Sequence, residues 1–479
     1  MSVLRRVSLT LPAAVCAVAL GTSGVAAASP FTSASADSGS LGSAEGSFGS
    51  LMPGGAAPKN IIYIVGDGMG FNHVAMTNVF ESGQSRYTVE GDADPGTLTE
   101  ADGDAVQIYE SEAWTQLAAS TFPEGSGYDG QAAWSDHDYV NRNVTDSAAA
   151  GTAMATGNKT VNGMIGVDSS GNSMESTSER AISVGKSAGV VSDVPFSHAT
   201  PASWAAHNSD RNDYHGMSEE MIASDLDVIF GAGHPYFDDD NEAISTGDYG
   251  YISPVAYEQV SGGSTDFTYV EEPEQFEALA GGEVADEKYF GLAQVASTLH
   301  YERSGISELP GDVAKNNVAD LSVMAEAALN ILGQNDEGFH LMIEAGAIDW
   351  AGHANDSARD IEEVQELNKT VEMASAWVEE NSSWDETLMV VTADHETGYL
   401  SGANDQSGFS AIHGPAGMLP SHGWYSSNHT NALVPVFLRG AGVDEIAATA
   451  TNVDPVRGAY IDVTTIAGLT INNWWGNEG

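Results

Sequence analysis

Positive charge is what this chain has least of. Its 479 residues include 16 Lys and Arg against 68 Asp and Glu, a formal net charge of −52. Proteins grip phosphate backbones and anionic lipids through Lys and Arg, so the composition argues against nucleic-acid and membrane-surface binding. Cysteine is almost missing as well. The single residue, Cys16, rules out a disulfide framework, and no later cysteine could be converted to the formylglycine of a cysteine-dependent sulfatase. The N-terminal apolar stretch from Val7 to Ala19 is too short for a membrane span and is interrupted by Ser8, Thr10 and Pro12.

What is present begins with an export signature. Arg5 and Arg6 precede that apolar stretch, and the small residues Val25-Ala26-Ala27-Ala28 follow it. This reads as a signal peptide over 1–28, which makes the expected location secreted: extracellular, periplasmic or cell-surface. Residues 29–57, rich in Ser, Gly and Ala, read as a flexible linker. The remainder, 58–479, is long enough to bury a large core without disulfides. Its acidity fits a solvated surface adapted to salty surroundings, and the expectation is a salt-tolerant protein.

Three apolar runs, Asn60–Val65, Phe339–Ile343 and Leu388–Thr392, read as buried parallel strands. Each is followed closely by carboxylate or imidazole: Asp67, then Asp349 with His353, then Asp394 with His395. Ligands bind at the carboxyl ends of strands in open α/β sheets, so these groups point to a multinuclear metal site. Further strands are expected at 189–192, 227–230 and 433–437, and helices at 175–186, 318–332 and 357–380. In the last helix Ile361, Val364, Leu367, Val371, Ala374 and Val378 recur at helical spacing. The alternation implies an α/β fold with a doubly wound, mostly parallel central sheet. The acidic, Gly-rich stretch 238–309 reads as a surface insertion that either faces a second subunit or caps the site.

Ser147 opens the Ala-rich run Ala148–Ala155. A serine there is ordinarily an N-cap, but a helix N-terminus also points amides at an anion. With IIYIVGDGMG, VTDSAAAGTAMATG, SHATPASWAAH followed by Asp210-Arg211, IEAGAIDWAGHAND, VVTADHETG and NHTNALVPV in this order, the chain resembles the secreted bacterial alkaline phosphatases. The resemblance implies a phosphate monoester hydrolase with two Zn2+ and one Mg2+ per subunit, acting as a homodimer. It assigns Asp349, His353 and His429 to the first zinc, with His413 and His422 as neighbouring alternatives to His429. Asp67, Asp394 and His395 fall to the second zinc. Asp67 also reaches the magnesium, with Thr200 and Glu344, and the all-oxygen set suits that harder ion.

Ser147 matches the family nucleophile, and Arg211 matches the arginine that forks onto two phosphate oxygens, with Arg142 as the alternative. His198 and Trp350 stand where certain enterobacterial members carry aspartate and lysine, and that combination resembles some marine bacterial members. Both are expected to border the substrate. Two rivals remain on sequence alone. One is a phosphodiesterase of the same wider superfamily. The other is a metal- or phosphate-binding protein without turnover.

Overall fold

The three apolar runs lie side by side at the centre of the molecule. The computed structural model describes residues 57–101, 103–403 and 408–476. The expected signal peptide 1–28, and all but the last residue of the linker 29–57, lie outside them.

The main sheet has eleven strands. In chain order they are β1 (Asn60–Gly66), β2 (Thr115–Ser120), β3 (Ser187–Pro195), β4 (Val228–Ala232), β5 (Thr268–Val270), β6 (Tyr289–Leu292), β7 (Phe339–Ala345), β8 (Thr387–Thr392), β9 (Val434–Gly440), β10 (Asn452–Asp454) and β11 (Gly458–Asp462). Their spatial order is β10-β11-β2-β9-β8-β1-β7-β3-β4-β6-β5. From β8 to β5 every pairing is parallel. β1 and β7 are buried along their whole length, which is why both read as unbroken apolar runs rather than alternating ones.

Five helices matter for the site: α1 (Phe71–Ser82), α2 (Ser147–Thr156), α3 (Leu321–Leu332), α4 (Ala347–Ala354) and α5 (Ser357–Asn381). The spaced stripe of α5, from Ile361 to Val378, is fully buried. The helix expected over 175–186 is shorter, Thr177–Ser183, because a capping box between Ser176 and Glu179 sets its start.

The expected α/β fold with a mostly parallel central sheet is present; one feature adds to the expectation and one corrects it. The strand near Val434 runs antiparallel to β8, with Thr392 opposite Val436. The stretch 238–309 is not confined to the surface. It supplies β5 and β6 at one end of the sheet, and β6 pairs with β4 with all four of its residues buried. Phe276 packs edge-on to Phe230 of β4 and Phe290 edge-on to Phe196, so this segment completes the core. Strands this short carry too few residues for a visible period.

Candidate active site

The functional side chains collect at the carboxyl edge of the parallel block. Asp67 follows β1, Glu344 lies near the end of β7, α4 springs from β7, and Asp394 with His395 follows β8. His429 arrives at the same edge because β9, which follows it, runs the other way. A two-residue ladder then pairs Glu396 with Thr430 and Thr397 with His429.

Asp349 and His353 share one face of α4, one helical turn apart. With His429 they form a tight triad: both imidazole Nε2 atoms lie 3.4 Å from Asp349 Oδ1 and 3.1 Å from each other. The opposite ring nitrogens face carbonyls, His353 Nδ1 at 2.7 Å from Ser427 O and His429 Nδ1 at 2.9 Å from Thr145 O. Each Nδ1–H therefore donates outward, and the Nε2 lone pairs face each other as metal ligands do. The alternatives are otherwise engaged. His422 contacts Ser357 Oγ and Pro420 O, and His413 is exposed beside Ala411.

Around Ser147 a second set converges. Its Oγ lies 3.1 Å from His395 Nε2, which in turn is 3.1 Å from Asp394 Oδ2 and 3.4 Å from Asp67 Oδ1. The turn that lets Asp394 and His395 face one point is closed by Asp394 Oδ1, which accepts from the amides of Gly68 and His395. Beyond Asp67 lies a third group. Thr200 Oγ1 is 3.2 Å from Asp67 Oδ2, and Ser192 donates to Glu344 Oε2. The two oxygens of Asp67 thus face two different clusters.

Whether these groups fit cations is testable on their own chemistry. Asp67 Oδ1, Asp394 Oδ2 and Glu344 Oε1 are buried with no hydrogen-bond partner. Burial, then the charges of Asp394, Asp349 and Glu344, holds Asp67 well above the usual carboxylate range. Burial likewise pushes Asp394 up to about 7 and Glu344 up to about 8. Burial, then His429, His353 and Arg211, drives His395 well below its ordinary value. Orphaned carboxylate oxygens crowded against neutral imidazoles are a donor set that divalent ions satisfy. The residues fit two mixed N/O sites and one oxygen-only site.

Ser147 is the first residue of α2, and Asp146 caps that helix by accepting from Ala149 N. The other oxygen of Asp146 accepts from Gly163 N and from the Arg211 guanidinium, both about 3 Å away. Asp146 therefore holds serine and arginine in one frame, a role the sequence reading did not give it. An acidic N-cap immediately before the serine was the available signal. Arg211, His198 and Trp350 line an open cleft with Ser147, Asp349, His353 and His429. Arg142 instead pairs with Asp136 and is more than half exposed. Tyr301 and Glu302, from the 238–309 stretch, also line the cleft, and Tyr301 donates to the Trp350 carbonyl. No motif pointed to them. His198 stacks on Tyr214 and meets Trp350 edge-on, and burial followed by Arg211 pushes its pKa down to about 4.

A buried serine at a helix N-terminus, ringed by carboxylates and imidazoles at the carboxyl edge of a parallel sheet, places the protein among the α/β enzymes. The model of the alkaline phosphatase family matches residues 124–422, more than half of the chain. The protein belongs to the alkaline phosphatase family. Alkaline phosphatase 4 of Bacillus subtilis is 29% identical over 362 residues, covering 74% of this chain, which spans 65% of that protein's length. The human tissue-nonspecific isozyme is 28% identical over 407 residues, covering 75% of this chain and 67% of its own. The cold-active alkaline phosphatase of a psychrophilic Shewanella species superposes with a TM-score of 0.60 at 25% identity, over 85% of this chain and 98% of that one.

Proposed function

We propose that this protein hydrolyses phosphate monoesters through a phosphoserine at Ser147, with two Zn2+ and one Mg2+ bound. The observation that carries the reading is the convergence of buried His395 Nε2, Asp394 Oδ2 and Asp67 Oδ1 on Ser147, which lines a cleft with Arg211. Asp349, His353 and His429 would hold the first zinc, and Asp67, Asp394 and His395 the second. Asp67, Thr200 and Glu344 would hold the magnesium. The bound ions would supply the positive charge that lowers the serine pKa and offsets the charge on the phosphoryl oxygens.

The chain's own residues do the rest. Arg211, braced by Asp146, takes two phosphoryl oxygens in its fork and orients the ester. The N-terminal amides of α2 face the same anion. Ser147 attacks phosphorus in line and the ester oxygen leaves as the alcohol. Water, entering along the opposite line, then displaces the serine and releases inorganic phosphate. His198, Trp350 and Tyr301 shape the space for the leaving group. The N-terminal leader supports an exported enzyme, and family membership alone supports a homodimer.

The test is hydrolysis of a chromogenic monoester beside its methyl diester, with acid trapping of labelled phosphate. Preference for the monoester and label on Ser147 are expected. Ser147→Ala should lower kcat on the order of 10³-fold or more and abolish the label. Preference for the diester, or label on another residue, overturns the reading.

A further inference from the structure

We propose that Thr397 is a positioning residue that locks one ligand of each zinc site into a shared geometry, an inference that rests on the two-zinc reading above. Its Oγ1 lies 2.5 Å from Asp349 Oδ1 and 3.2 Å from His395 Nδ1, and the residue is fully buried. A threonine hydroxyl carries one proton. At 2.5 Å from a carboxylate that proton goes to Asp349, so toward His395 the hydroxyl can only accept. His395 must then carry its hydrogen on Nδ1, which leaves the Nε2 lone pair facing Ser147, Asp67 and Asp394. One hydroxyl thereby fixes a carboxylate of the first site and the tautomer of an imidazole of the second.

The backbone of Thr397 ties in the remaining segments. Its amide donates to Gly68 O, one residue after Asp67, and its ladder partner is His429. The surroundings are cut to its shape. A Cβ on Gly68 would meet Thr397 Oγ1 at 2.8 Å, and one on Gly352 would meet the Thr397 side chain at 3.1 Å. Residues from all three ligand-bearing strand ends, and from the segment before β9, therefore meet at this threonine. Such outer-shell partners set ligand orientation and affinity.

The experiment compares wild type, Thr397→Val and Thr397→Ser, each stripped of metal and titrated with zinc against a chromophoric chelator. Cobalt spectra of the same proteins report ligand geometry, and their melting is followed without metal. Two tight zinc ions are expected in wild type. Valine, equal in shape, should weaken both by roughly 10–100-fold and alter the cobalt bands, while serine should stay within about threefold of wild type. Unchanged zinc affinity in the valine variant, even with lowered melting, overturns the proposal. So does loss at one site only, or a serine variant as impaired as valine. If wild type binds no zinc, the two-zinc reading falls and this inference with it.

Discussion

Two clusters of buried carboxylates, one along α5 and one at the carboxyl edge of the sheet, are treated differently by the chain. Along α5, Glu362 is clasped by Arg303 and Arg359 and by the Gly311 amide, and Glu366 pairs with Lys315. At the sheet edge, Asp67, Asp394 and Glu344 have no lysine or arginine bonded to them, and one oxygen of each, like Glu366 Oε1, is without a hydrogen bond. Asp360, on α5 itself, shows a third arrangement: neither carboxylate oxygen is hydrogen-bonded, and burial pushes its pKa well above the usual range. In a chain so poor in cations, spending three on one cluster and none on the other is informative. Where the chain supplies the countercharge the carboxylates are architecture; at the sheet edge the unpaired oxygens converge on one another beside imidazole, the arrangement on which the proposed ion sites rest.

Removing metal should break the comparison most visibly. Chelation is expected to abolish hydrolysis, and zinc with magnesium to restore it; elemental analysis alongside the assay checks this, and full activity in metal-free protein would refute it. Opposite effects on stability come next. Glu362→Ala leaves two buried guanidinium groups short of a partner and should destabilise the fold by about 3–5 kcal/mol while zinc binding survives. Asp394→Asn should eliminate activity yet leave metal-free protein no less stable than wild type, since it removes a repelling charge; urea unfolding of both variants decides.

Smaller is the effect at the cleft mouth. Arg211→Ala should weaken inorganic phosphate inhibition by about 1.5–3 kcal/mol, and Arg142→Ala should leave it unchanged.

His207 offers a countercharge that can be switched off. Hydrogen bonds to Glu179 and Glu220 raise its pKa to about 10. Its folded value exceeds its unfolded one, so the stabilisation is present below about pH 6.5 and is lost as pH rises toward 10. Melting curves of wild type should fall across that window, and His207→Gln should flatten the slope. The weakest effect is salt. With a net charge of −52, repulsion at the surface should relax as the Debye length shortens from about 30 Å at 0.01 M to about 3 Å at 1 M. Melting temperature should rise over that range with metals held constant, and a flat profile would remove the basis for expecting salt tolerance.

The sheet centre was legible because both faces of β1, β7 and β8 are covered, which forces unbroken apolar sequence followed at once by ligands. The α5 stripe was legible for the same reason, since one helical face is wholly buried. Chain direction at β9 was not, because nothing in an isolated apolar run records whether it travels up or down the sheet. β5 and β6 were hidden by their shortness inside an acidic, Gly-rich stretch. Ligand identities could be read from motifs, but the parts that orient them could not. Asp146, Thr397, Tyr301 and Glu302 acquire meaning only through neighbours far along the chain, such as the Asp349 carboxylate beside Thr397.

The direction of β9 bears on how the protein reaches its native state. Because His429 enters from a strand near the end of the chain, its contact with Thr145 closes a separation of 284 residues, and that of Gly68 with Asp394 closes 326. Closures of this length come at a high entropic cost and are made late, after local helices and neighbouring strands have formed. An incompletely folded chain would therefore offer zinc only scattered, weak ligands. Capture of the proposed ions would then act as a proof-reading step: it would reward only the molecule in which the ends of β1, β7 and β8 and the segment before β9 have all docked, and by mass action it would hold that molecule closed.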